Sequence, residues 1–239
     1  MTATLADNLA RINDRIAEAA RRSGRKPEEI TLLAATKRVD VERIREAVEA
    51  GVRVAGENYI QDAREKIARI DDERIVWHFI GHLQRNKVKY AVELFDMIQT
   101  VDSLELAREI DRRSRDPIDL LIEVNIGREE TKSGVTGDEA MELAGRMSEL
   151  RNLSIKGLMA IPPHSDDPRL TRRYFTRLRR LLEEINIEGV VDRRLTVLSM
   201  GMSNDFEIAI EEGATMVRIG SALFGRRDSK GAPPSCEGV

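Results

Sequence analysis

The stretch T-L-L-A-A-T-K-R-V, residues 31–39, carries four consecutive apolar side chains, Leu32, Leu33, Ala34 and Ala35, and then presents Lys37. An unbroken apolar run of this length, without alternation, is the pattern of a parallel strand covered on both faces. A charged amine at the rim of an apolar core is costly unless it has a partner or a task. Comparable runs rich in Val, Ile and Leu recur at 53–58, 76–81, 97–102, 119–127, 155–161, 196–201 and 215–224.

Helical patterns lie between these runs. Asp40 is placed to cap V-E-R-I-R-E-A-V-E-A, which Gly51 ends; Asp102 with Glu105, and Asn204 with Glu207, have capping-box spacing. Ahead of the first run, Leu5, Leu9, Ile12 and Ile16 form one face of an amphipathic helix, closed by Gly24 with Pro27 beyond it. The first four runs start about twenty residues apart, the length of a strand–loop–helix–loop unit. Eight such units predict a single (β/α)8 barrel with an extra N-terminal helix over residues 1–228, followed by a flexible tail at 229–239. The competing open doubly wound sheet calls for a G-x-G-x-x-G turn after an early strand, and that motif is absent.

Composition narrows the function. The chain has 239 residues, 41% hydrophobic and 34% charged, as in a soluble globular protein. A net charge of −3 and 4% aromatic content give neither attraction to nucleic acid nor base-stacking platforms. The lone cysteine, Cys236, excludes a disulfide framework within the chain and a cysteine-based zinc site. Without a signal-peptide core or a membrane-length apolar run, the expected location is the cytoplasm. No exposed apolar stripe stands out, so a monomer is expected.

In a (β/α)8 barrel, chemistry sits at the C-terminal ends of the strands. Those ends carry Lys37, Asn58, His82, Asn125, Met159, Ser199 and Arg218. Lys37 reads either as a surface lysine whose stem covers the rim, or as a nucleophilic amine that condenses with an aldehyde. The loops S-M-G-M-S-N-D and V-R-I-G-S-A-L-F-G place Ser199, Gly201, Ser203, Gly220 and Ser221 after the seventh and eighth strands, where such barrels bind phosphate. Turn glycines and helix caps would use the same residues. An amine facing a phosphate cradle outlines a ligand with an aldehyde and a phosphate. His78 and His82 lie four apart, about 13 Å along a strand, too far for one metal, and no metal site is expected. Arg128, Glu129, Glu130 and Lys132 belong to a charged loop, either solvated or covering the barrel mouth.

The motifs A-A-T-K at 34–37, G-E-N-Y-I-Q at 56–61, W-H-F-I-G-H-L-Q-R-N-K at 77–87, K-G-L-M-A-I at 156–161, S-M-G-M-S-N-D at 199–205 and V-R-I-G-S-A-L-F-G at 217–225 strongly resemble the pyridoxal phosphate homeostasis proteins. The resemblance covers nearly the whole chain. It implies a barrel like the N-terminal domain of alanine racemase, holding pyridoxal 5′-phosphate (PLP) as a Schiff base on Lys37. By that match Ser199, Ser203, Gly220 and Ser221 belong to the phosphate cradle, Arg218 faces the pyridine nitrogen, and Asn58 and Met200 line the cofactor. Tyr59, His82 and Asn125 match motifs without a defined contact. Gly127 and Arg128 stand where many relatives have a small polar pair.

An arginine beside the pyridine nitrogen keeps it unprotonated and makes the ring a weak electron sink. Racemases on this barrel add a C-terminal domain carrying a second acid–base residue, whereas this chain continues past Gly225 only as a short polar tail. The resemblance therefore implies a non-enzymatic PLP carrier acting in vitamin B6 and amino-acid homeostasis, with apo PLP-dependent enzymes as recipients. A weak PLP-dependent racemase and a cofactor-free Schiff-base aldolase are the alternatives.

Overall fold

Each apolar run becomes a strand, and the amphipathic stretch after it becomes the helix that covers it. The computed structural model describes residues 4–129 and 131–225. The strands β1 (Thr31–Ala35), β2 (Val54–Glu57), β3 (Val76–Phe79), β4 (Met97–Val101), β5 (Ile118–Glu123), β6 (Leu153–Met159), β7 (Val197–Met202) and β8 (Met216–Ile219) form a closed parallel barrel in sequence order. Leu33 of β1 pairs with Val54 of β2 on one side and Arg218 of β8 on the other. The covering helices are α2 (Val41–Ala50), α3 (Ile60–Ile70), α4 (Val88–Leu94), α5 (Leu104–Arg113), α6 (Gly137–Ser148), α7 (Pro168–Ile187), α8 (Phe206–Glu211) and α9 (Ser221–Phe224). The architecture is the expected (β/α)8 barrel. The tail at 229–239, with Cys236, lies outside the described residues.

The extra helix, α1 (Leu5–Arg22), begins at a Thr4–Asp7 capping box and buries Leu5, Leu9, Ile12 and Ile16. Its polar side grips α8 and α9: Arg15 makes two hydrogen bonds to Glu207, at 2.9 and 2.8 Å, and Asn8 donates to the Leu223 carbonyl. Asp40 caps α2 through the Arg43 N–H at 2.8 Å, and Gly51 ends that helix at φ 117°. Two caps fall one residue later than the sequence pattern places them. Ser103, not Asp102, caps α5, its hydroxyl accepting from Leu106 N–H. Asp205, not Asn204, is the cap residue of α8, and its carboxylate accepts instead from the Met202 N–H at 2.6 Å.

Strand parity sorts the side chains into two cores. Ala34, Ala55, Trp77, Phe79, Ile98, Leu120, Leu198, Met200 and Val217 pack in the layer between barrel and helices. Leu33, Ile80 and Met216 fill one part of the barrel interior, and Met97, Leu121 and Met159 another. Gly56 makes room for the first group, since a Cβ there would lie 2.5 Å from Leu33 Cδ2 and 2.8 Å from Ile80 Cδ1. Among the described residues no helix is long and apolar enough to cross a membrane, and no cluster of His, Cys, Asp or Glu could hold a metal ion.

Candidate functional site at the barrel mouth

On β1 the interior parity runs through Leu33 and Ala35, and Lys37 continues it beyond the strand end. The chain then turns sharply. Val39 N–H bonds the Thr36 carbonyl at 2.9 Å, and Arg38 adopts a left-handed backbone (φ 59°). A non-glycine residue in that region is uncommon and carries strain, so the turn fixes where the lysine emerges.

Lys37 lines a cavity of about 530 Å³, together with Asn58, Ser203, Arg218, Gly220 and Ser221. The ends of β1, β2, β7 and β8 thus converge on one concavity. Ser203 Oγ accepts hydrogen bonds from the Gly220 N–H (3.3 Å) and the Ala222 N–H (3.2 Å), which aims two backbone donors at one polar edge. Asn58 Oδ1 is buried and has no hydrogen-bond partner among the described residues.

Arg218 forms the buried floor. Its Nη1 donates to the carbonyl and the hydroxyl of Ser199, both at 2.7 Å, and its Nη2 donates to the Ala160 carbonyl at 2.9 Å. Burial pushes the guanidinium down to about 10, with Asp205 and Glu123 opposing, so it stays charged at neutral pH. Glu123, at the interior end of β5, is pushed up to about 7 by burial and by Asp102, against the pull of Arg218.

Two expected lining residues lie elsewhere. Met200 is fully buried in the layer between barrel and helices, because it neighbours the inward-facing Ser199 and must face the other way. Met202 takes its place in the cavity wall. Ser199 is also fully buried, its hydroxyl bonded to Gln99 and Arg218, so it supports the floor instead of lining the cradle. Tyr59 and His82 line a neighbouring cleft of about 430 Å³ that shares Asn58 with the cavity. Asn125 organises the charged loop, donating to the Glu129 carbonyl at 2.7 Å and accepting from the Glu129 N–H at 3.0 Å. Lys132 of that loop pairs with Glu129 and donates to the Pro162 carbonyl.

His164 and Asp205, which the sequence reading passed over, also line the cavity. Burial raises the Asp205 carboxyl above the usual range. Asp205 was legible as the acidic residue closing S-M-G-M-S-N-D. His164 sits in an irregular P-P-H-S-D segment with no local signal.

Residues 8–228 match the family model described as alanine racemase, N-terminal domain. A pyridoxal phosphate homeostasis protein of Aquifex aeolicus is 46% identical over 224 residues, 92% of this chain and 97% of the relative. One from Escherichia coli is 43% identical over 233 residues, 94% of this chain and 97% of the relative. The structure of PipY from Synechococcus elongatus with PLP bound superposes at a TM-score of 0.81 with 35% identity, covering 93% of this chain and 100% of PipY. A TIM barrel with lysine, arginine and a serine–glycine edge at one mouth thus extends, over nearly its full length, along relatives that share one name: the chain belongs to the family of pyridoxal phosphate homeostasis proteins.

Proposed function

We propose that this protein holds PLP in the mouth cavity as a Schiff base on Lys37, and that it stores, delivers or buffers the cofactor in the cytoplasm without a turnover reaction of its own. The observation that carries the reading is the convergence of the Lys37 amine with Ser203, Gly220 and Ser221 on one cavity of about 530 Å³.

The residues present fit the cofactor. When bound, PLP supplies a reactive aldehyde on an electron-accepting ring. The Lys37 amine would condense with that aldehyde, forming one C=N bond and releasing one water. The Gly220 and Ala222 amides hold the Ser203 oxygen, which leaves the Ser203 hydroxyl proton as a donor suited to a phosphate. Arg218 would meet the pyridine nitrogen and hold it unprotonated. Asn58, with its buried unpartnered oxygen, leaves an amide for the ligand. The relatives' shared name describes homeostasis and not a catalyst, in line with a carrier. Recipients would be apo PLP-dependent enzymes. Among the described residues, Val76 and Ile187 are the exposed large apolar side chains that line neither the mouth cavity nor its neighbouring cleft, which favours a monomer.

Borohydride reduction of the PLP-loaded protein followed by peptide mass spectrometry tests the reading. The expected adduct lies on Lys37 and vanishes in Lys37→Ala. A dominant adduct on another lysine would remove Lys37 from its role.

A further inference from the structure

The interior of this barrel carries polar residues on strands that otherwise fill it with Leu, Ile and Met. His78 on β3, Gln99 on β4, Ser199 on β7 and Arg218 on β8 form a continuous hydrogen-bonded chain across it. The contacts are His78 Nδ1 to Gln99 Nε2 at 2.8 Å, Gln99 Oε1 to Ser199 Oγ at 2.7 Å and Ser199 Oγ to Arg218 Nη1 at 2.7 Å. All four residues are buried.

The chain has a direction, and Met216 sets it. Gln99 Nε2 also lies 3.1 Å from Met216 Sδ. A thioether carries no proton, so the side of the amide facing it must be the NH2 group. The same NH2 group then faces His78, whose Nδ1 must accept and whose proton must sit on Nε2. Gln99 Oε1 is left as the acceptor for the Ser199 hydroxyl. With that proton committed to Gln99, the Ser199 oxygen turns its lone pairs to Arg218.

The charge arithmetic gives this arrangement a purpose. A buried cation left without acceptors is strongly destabilising, and the usual remedy is a contacting carboxylate. Among the described residues Arg218 makes no salt bridge; its acceptors are the neutral oxygens of Ser199 and Ala160. Glu123 and Asp205 act on it only at a distance. Neutral acceptors aim a guanidinium without cancelling its field at the cavity.

We propose that His78, Gln99 and Ser199 are positioning residues for Arg218, a one-way relay that fixes the guanidinium at the cavity floor while leaving its charge for the ligand. Burial pushes His78 down to about 4, so the relay keeps its polarity throughout the physiological range. The consequence for the cofactor rests on the reading of Arg218 as a PLP contact; the relay itself does not.

The test has arms that separate the two. Nitrogen NMR of the full chain, which has three histidines, reports the tautomer directly. His78 is expected to carry its proton on Nε2, unchanged between about pH 6 and 8. A proton on Nδ1 in the wild-type protein would overturn the relay without any variant being made. Gln99→Met, which keeps the volume, and Ser199→Ala are then compared by exchange of the Arg218 guanidinium protons. Exchange should quicken by about tenfold or more on losing a hydrogen bond to a charged group. Unchanged exchange in both variants would sink the proposal. Finally, the visible band of the PLP-loaded variants is followed against pH beside Arg218→Lys. A shift in all three supports positioning. A shift in Arg218→Lys alone overturns it. Faster exchange with no shift in any variant keeps the relay and removes Arg218 from the cofactor.

Discussion

Lys66 Nζ lies 2.6 Å from Glu57 Oε1 and 2.8 Å from the carbonyl oxygen of Thr36, so a buried ion pair touches the peptide immediately before Lys37. Lys66 reaches there from α3, Glu57 is fully buried on the helix-facing side of β2, and the Thr36 hydroxyl lies 2.7 Å from the same carboxylate. Glu57 also precedes Asn58. One polar knot therefore holds the ends of β1 and β2 from which two cavity residues emerge.

Breaking that pair on one side should be costly. Lys66→Met leaves Glu57 charged and buried without its cation, and removal of one buried partner costs about 3–5 kcal/mol. Urea denaturation should show that loss, with much of it recovered in Glu57→Gln/Lys66→Met, where no lone charge remains. A loss under about 1 kcal/mol in the single variant would mean that water replaces the lysine there.

Glu123 should tie stability to pH. Its carboxyl is pushed up to about 7 in the folded protein, against an ordinary value of 4.5, chiefly by burial. The folded state therefore binds this proton more tightly than the unfolded chain does. The resulting stability is fully present below about 4.5 and is lost as pH rises through about 7, on the order of 3 kcal/mol in all. Glu123→Gln removes that slope and should be the more stable form at pH 8. Denaturation midpoints across this range, equally steep in the two proteins, would contradict the account.

How much of this was legible beforehand follows from the closed barrel. Apolar runs bounded by turn residues revealed the strands, and the small polar loops after β7 and β8 marked Ser203, Gly220 and Ser221. Inside and outside were harder to separate. Both faces of each strand are buried, so the alternation that marks a half-exposed sheet is erased. The family resemblance places Ser199 and Met200 together at the cofactor, whereas neighbours on a strand must face opposite ways. Gln99 and Glu123 each interrupt an apolar run, M-I-Q-T-V and L-L-I-E-V, and that interruption was the available sign of an interior polar group. Nothing local in α3 distinguishes Lys66 from a solvated helix lysine, because its partner arrives only with the tertiary fold.

Gly81 should be irreplaceable for a reason separate from chemistry. A Cβ there would lie 2.1 Å from the Asn58 carbonyl oxygen, a backbone atom that side-chain motion cannot relieve. Gly81→Ala must push the ends of β2 and β3 apart, disturbing both Asn58 and the 2.6 Å bond from Thr100 Oγ to the Gly81 carbonyl. The expected cost is about 1–3 kcal/mol of overpacking, with weaker PLP retention read by dialysis. Wild-type stability and retention together would show that the two loops separate freely.

Ser203 and Gly220 allow the phosphate edge to be tested without damaging the barrel. Gly220 has an ordinary φ of −117°, and an added Cβ would meet Ala35 at 3.6 Å, normal contact. Gly220→Ala should therefore fold with stability within about 0.5 kcal/mol of wild type while narrowing the cavity. Ser203→Ala deletes the oxygen on which the Gly220 and Ala222 amides converge, together with a hydroxyl proton for which no acceptor is found among the described residues. If that proton serves a phosphate, its loss should weaken PLP binding by about tenfold or more, the worth of one hydrogen bond to a charged group. Competition separates the phosphate from the aldehyde end: inorganic phosphate should displace PLP less effectively from Ser203→Ala than from wild type, whereas pyridoxal, which lacks the phosphate, should bind both proteins equally. Equal phosphate competition in variant and wild type would place the anion elsewhere on the mouth, away from the β7 and β8 loops.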